Sequence, residues 1–93
     1  MVGERRSKVK VLVDILRVIQ REGGTAKPTH ILYKANLSHK LLKSHLGLLI
    51  EKGFVEQREY GGKAHYSITQ KGVEFIVEYR KVERLSSAFG LPI

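Results

Sequence analysis

The sequence predicts a small, mostly helical α+β domain. Three observations carry this. A capped amphipathic segment runs from Ser38 to Gly53, and a glycine pair at 61–62 divides two alternating stretches. A long apolar stripe with helical spacing then fills residues 69–90. Ninety-three residues suffice for one hydrophobic core, so a single domain over 1–93 is expected.

The first element begins after a polar start. From Val9, the positions Val9, Leu12, Leu16 and Ile19 repeat at three and four, and Val11, Ile15 and Val18 lie beside them. This apolar face is wider than a small surface helix needs, so part of it is expected to meet something beyond the domain core. Gly23-Gly24 ends the helix. A short extended stretch, Thr25-Ala26-Lys27, leads to Pro28, which suits the first position of a new helix. That helix reaches about Ala35 and buries Ile31 and Leu32. Asn36 supplies the turn, because asparagine tolerates the left-handed region.

Ser38 is a good N-cap for the next helix, and Gly53 is its stop. Leu42, Leu46, Leu49 and Ile50 share one side. The other side carries Lys40, Lys43, Ser44, Gly47 and Glu51, cationic at its N-terminal end and small in the middle. Two helices joined by so short a turn, the second with a basic face, read as a helix-turn-helix.

After Gly53 the period becomes alternating. Gly61-Gly62 forms a two-residue turn, which sets Tyr60 opposite Lys63, Arg58 opposite His65, Gln57 opposite Tyr66, and Val55 opposite Ile68. Val55, Tyr66 and Ile68 should face the core, with Arg58, Tyr60, Lys63 and His65 projecting from the other side as a wing. Thr69 caps the final helix, whose stripe holds Phe75, Tyr79, Val82, Leu85 and Phe89. A chain this short has little mass left to cover such a stripe, so those five residues are expected to form a homodimer interface.

Charge narrows the partner. Seventeen Lys and Arg against nine Asp and Glu give a net +8, which favours polyanions. No apolar run approaches the ~18–20 residues of a membrane-spanning helix, and no signal-peptide pattern opens the chain. No membrane partner is therefore expected. There is no cysteine, and His39 and His45 are six apart rather than four, so no metal site is expected. Asp14 sits alone on its helix, and the serines near histidines lack an orienting third group. No enzyme, no cofactor and no small-molecule ligand is expected.

The order helix, short strand, helix, helix, wing, long helix resembles that of the winged helix-turn-helix family. Leu37 to Val55 is similar to its recognition helix and the start of the wing. Tyr66-Ser-Ile-Thr-Gln-Lys-Gly72 is similar to the second wing strand running into the last helix. Tyr33-Lys-Ala-Asn-Leu-Ser38 is similar to a segment of small archaeal winged-helix DNA-binding proteins that dimerise through a C-terminal helix. These include chromatin-type proteins, and archaeal viruses carry similar regulator-like domains. The resemblance covers about residues 7–85. The C-terminal helix is shorter than the coiled coil of the chromatin-type members.

This resemblance implies double-stranded DNA as partner, with helix 38–52 in the major groove and the 58–65 wing on flanking backbone or minor groove. Ser38, His39, Lys40, Lys43, Ser44 and Gly47 are the candidate contacts on the helix. Thr29 and His30, with Lys27, are candidates for phosphate at the preceding helix N-terminus. Arg58, Lys63 and His65 are the wing candidates, while Tyr60 either stacks on a sugar or covers the hairpin. Arg5, Arg6 and Lys8 form either an arm on the flanking backbone or a start without contacts. A homodimeric transcription regulator is the leading expectation. A sequence-tolerant chromatin protein is the rival, and a protein-interaction or RNA-binding module using Leu41 and Leu48 is the third reading. The expected location is the cytoplasm, associated with the nucleoid, or a host cytoplasm if the source is viral.

Overall fold

A computed structural model describes residues 6–92. Among them are four helices and three strands: α1 (Lys8–Arg21), β1 (Thr25–Ala26), α2 (Pro28–Lys34), α3 (His39–Glu51), β2 (Val55–Tyr60), β3 (Lys63–Ile68) and α4 (Gln70–Ala88). Each long helix starts at a hydroxyl cap. Ser7, Ser38 and Thr69 accept from the amides of Lys10, Leu41 and Gly72, each satisfying one first-turn donor. Gly53 follows α3 at φ +82°, and Asn36 turns the chain between α2 and α3 at φ 55°.

The hairpin has the register expected from its Gly-Gly turn: Tyr60 pairs with Lys63, Arg58 with His65, Gln57 with Tyr66, and Val55 with Ile68. The wing is two-stranded, but the sheet is not. β1 pairs with the outer edge of β3, Thr25 opposite Ser67 and Ala26 opposite Tyr66, giving the order β1-β3-β2. The Thr25 and Ser67 hydroxyls share a hydrogen bond of 2.8 Å across that seam.

The core collects Leu12, Ile15, Leu16 and Ile19 from α1, Ile31 from α2, Leu42, Leu46 and Leu49 from α3, Val55 from β2 and Ile76 from α4. Fully burying each such side chain contributes about 1.5–3 kcal/mol. The broad apolar face of α1 is consumed inside the chain: Val11, Val13, Ile15 and Val18 are all buried, and only Val9 stays exposed. The expectation that this surplus meets a partner is corrected. The elements α4, β3, α2 and β1 supply the cover that periodicity alone does not reveal.

The stripe on α4 divides in two. Phe75 stacks on Phe54 with ring centroids 4.9 Å apart, and Tyr79 is buried with the Arg17 guanidinium 5.9 Å over its ring. These two residues, expected at a dimer interface, pack within their own chain, Phe75 on Phe54 and Tyr79 beside α1, which lies along α4 as far as Glu83. Val82, Leu85 and Phe89 remain exposed at 47%, 61% and 73%.

Candidate nucleic-acid interface

The helix beginning after Ser38 carries its polar side outward. His39, Lys40, Lys43, Ser44 and Gly47 are exposed, while Leu42, Leu46 and Leu49 anchor the opposite side. Ser38 is also exposed. Its oxygen accepts from the Leu41 amide at 3.2 Å, which leaves the hydroxyl proton and one lone pair to offer a ligand. A Cβ built on Gly47 meets nothing within 4 Å, so the glycine leaves an open notch in the middle of this face.

Beside the helix runs a groove of about 460 Å³, bordered by His39, Lys43 and Gly47 on one side and Gln57 and Tyr66 on the other. Gln57 and Tyr66 are a cross-strand pair, so the sheet, not only the helix, presents polar groups there. Sequence reasoning missed both. Gln57 sits in phase with core residue Val55, and that alternation was the available signal.

At the wing, Arg58, Tyr60 and Lys63 are exposed and His65 is half-buried. Tyr60 lies edge-on to His65 with ring centroids 5.1 Å apart, so it covers part of the hairpin tip while about half of it stays exposed. Arg58 is paired with Glu56 at 2.8 Å, two residues along the same strand face. Hydrogen bonding and charge from Glu56 raise the Arg58 pKa, so the guanidinium stays charged but shares its field with a carboxylate. Lys63 is the wing cation without an ion pair among the described residues.

At the start of α2, Thr29 is exposed, but His30 points its Nδ1 at Glu22, 3.3 Å away. A phosphate there would compete with that carboxylate, which weakens the expected anion contact at His30. Arg6 is not a free arm. It donates to the Ala35 carbonyl at 2.8 Å and the Asn36 carbonyl at 3.1 Å, and pairs with Asp14 at 3.1 Å. The turn before α3 is thereby tied to α1. Asp14, expected to stand alone, is held by both Arg6 and Lys10. Arg5 lies outside the described residues.

The far end of α3 is also fastened. Thr69 Oγ1 donates to the Gly53 carbonyl, and Lys71 Nζ donates to the Lys52 carbonyl, both at 2.7 Å. Lys71 also lies 5.0 Å over the Phe54 ring. Lys71 thus supplies the cation that favours a helix C-terminus, from a different helix. The exposed basic face is aimed by ties at both of its ends. Among the described residues no group could hold a metal ion, and no helix is long and apolar enough to cross a membrane.

Comparison with known proteins agrees with this architecture. A family model described as winged helix-turn-helix matches residues 5–87. The chain is 27% identical over 81 residues to the uncharacterized protein MJ0290 of Methanocaldococcus jannaschii. The match covers 87% of this chain but only 36% of that protein, so the chain spans about a third of this curated relative. Among solved structures it is similar to Sso10a-2, a DNA-binding protein from Sulfolobus solfataricus, with a TM-score of 0.77 and 25% identity over 91% of this chain and 90% of that one. F93 from STIV, a winged-helix DNA-binding protein, superposes with a TM-score of 0.73 at 15% identity, covering 86% and 92% of the two chains. The transcriptional regulator Tm0710 from Thermotoga maritima shares the fold at a TM-score of 0.63 and 20% identity, over 85% and 60%. With a helix-turn-helix, a paired wing and a family match over most of its length, the chain belongs to the winged helix-turn-helix family.

Proposed function

We propose that this protein binds double-stranded DNA as a homodimer and regulates transcription. The observation that carries the binding is the exposed row His39, Lys40, Lys43, Ser44 and Gly47 on a helix fixed at both ends. In the major groove, Lys40 and Lys43 donate to phosphate or to guanine acceptors, and Ser44 donates or accepts. The notch at Gly47 admits a close approach of the DNA backbone. Lys63 and Arg58 reach the flanking backbone from the wing. Dimerisation rests on Val82, Leu85 and Phe89, an exposed apolar line on the last turns of α4. Two copies joined there present two recognition helices to one duplex.

One observation favours a second reading, a sequence-tolerant chromatin protein. Across His39–Glu51, α3 contains no Arg, Asn or Gln, which leaves Lys40 and Lys43 to reach guanine and no side chain suited to read adenine with two hydrogen bonds. Lysine and serine grip more than they discriminate.

Titrating salt against duplex binding tests the proposal. A steep loss of affinity with salt is expected, because each neutralised phosphate releases counterions. Flat salt dependence, or no duplex binding at low salt, rejects it. Lys43→Ala then separates the two readings. A regulator loses more affinity on its selected site than on random DNA, and a chromatin-type protein loses equally on both.

A further inference from the structure

A second cationic surface lies on α1. Lys10, Asp14, Arg17 and Arg21 recur at spacings of four, three and four, which aligns them along one face of the helix. At 100° per residue this face is opposite Leu12, Ile15, Leu16 and Ile19, the side of α1 that shares the core with Leu42, Leu46 and Leu49 of α3. The α1 line and the basic face of α3 are therefore separated by the hydrophobic core.

Neighbouring elements add to this line. Arg80 of α4 borders a depression of about 320 Å³ together with Arg17, Gln20 and Arg21. Arg6 and Lys34 border an adjoining one of about 280 Å³ with Lys10, Arg17 and Arg21. Because Arg17 and Arg21 line both, the two form one trough, and no residue of α3 or the wing borders it. Its six cations face two carboxylates, Asp14 and Glu83, leaving +4, half of the chain's +8. The carboxylates fix Arg6, Lys10 and Arg17 in place at 3.1, 3.0 and 2.7 Å. Arg21, Lys34 and Arg80 are exposed and make no ion pair among the described residues.

Crowding six cations with two anions is self-repulsive, and a polyanion relieves it. The arginine fork suits phosphate oxygens, which accept two parallel hydrogen bonds. From Lys10 to Arg21 the line runs about 16 Å at 1.5 Å per residue, roughly five base-pair steps of 3.4 Å. A repeating phosphate chain matches such a line better than a single small anion does. The geometry points to a second nucleic-acid contact surface, formed by α1 with Arg80 and Lys34, that grips the phosphate backbone of another duplex segment without reading its sequence. On α4, Arg80 lies on the opposite flank from Val82, Leu85 and Phe89, so dimerisation through that apolar line leaves the trough open.

This inference rests on duplex binding through α3, and the experiment separates the two. Affinity of the full chain for a fluorescent duplex is measured across a salt series for the unmodified protein, R21Q/R80Q, K40Q/K43Q and the fourfold variant. The exposed Arg21 and Arg80 are changed rather than Arg17, which packs on Tyr79, and circular dichroism melting should show all variants folded. K40Q/K43Q should keep weak, salt-sensitive binding that the fourfold variant loses. R21Q/R80Q alone should flatten the slope of log affinity against log salt by roughly 0.9 for each lost contact. A slope equal to that of the unmodified protein overturns the second surface and leaves the α3 reading standing. Absence of duplex binding by the unmodified protein removes both. If K40Q/K43Q binds polyglutamate but not duplex, the trough takes acidic protein and the proposal fails.

Discussion

The Thr69 hydroxyl donates to the Gly53 carbonyl at 2.7 Å while accepting from the Gly72 amide at 3.1 Å. One side chain thus caps α4 and holds the end of α3. Thr69→Val removes both bonds and should cost about 1–2 kcal/mol in urea unfolding, whereas Thr69→Ser should keep most of the stability. Duplex affinity should fall with Thr69→Val at unchanged salt slope, because no phosphate contact is lost. A reduced slope would instead place Thr69 at the DNA.

Two glycines should respond oppositely to alanine. A Cβ on Gly72 meets the Phe54 carbonyl oxygen at 2.5 Å and Ile68 Cγ1 at 2.7 Å, so Gly72→Ala should destabilise by about 1–3 kcal/mol despite its better helix propensity. At Gly47 the Cβ meets nothing within 4 Å, so Gly47→Ala should stabilise by roughly 0.5–1 kcal/mol. If the notch admits DNA, the same variant binds duplex more weakly while melting higher. Equal affinity would assign the glycine no part in binding.

Leu85→Glu with Phe89→Glu puts two carboxylates on the exposed line of α4. Light scattering should show a dimer for the unmodified chain and a monomer for this variant, with the circular dichroism spectrum unchanged. A monomeric unmodified chain at micromolar concentration would remove the dimer from the proposal.

Glu83 gives the fold a modest pH dependence. The hydrogen bond from Arg17 holds its carboxyl below the ordinary range, aided by the charges of Arg17, Lys10 and Arg80 and opposed by partial burial. Its folded pKa is lowered, so its contribution is present above the unfolded value of about 4.3 and fades as pH falls through the folded one. For a pair about a third exposed the contribution is roughly 0.2–1 kcal/mol. Urea midpoints should show Glu83→Gln less stable than the unmodified protein at neutral pH, with the gap closing in acid.

Local chemistry made much of this fold legible. Ser38, Gly53, Asn36 and the Gly61-Gly62 turn each act within a few residues of themselves, so helix bounds and hairpin register follow directly. The ties that aim α3 join residues far apart in sequence. Arg6 reaches Ala35 across 29 positions, Lys71 reaches Lys52 across 19, and Thr69 reaches Gly53 across 16. Such pairs leave no periodic trace. The same blindness misjudged α4, because spacing shows a stripe but not that Phe54 stacks on Phe75 or that Arg17 of α1 lies over Tyr79. At the candidate interface, the lysines of α3 stand out by helical phase. Gln57 carries one signal, the strand phase it shares with Val55, but that alternation does not tell a groove-lining polar residue from a core-facing one.

The pairing of Thr25 with Ser67 spans 42 positions, whereas the widest pair within the hairpin, Val55 with Ile68, spans only 13. Hairpins and helical turns form in microseconds, and closing this longer loop costs roughly 1 kcal/mol more chain entropy than closing the hairpin before any contact repays it. The two-residue strand is therefore expected to pair after the hairpin, and α2, α3 and the wing all lie inside the loop it closes. Until that seam forms, the chain carries its full positive charge with no fixed direction for the basic helix. Under the proposed function, a nascent or partly unfolded molecule would meet DNA through charge alone, and docking would wait for the completed fold.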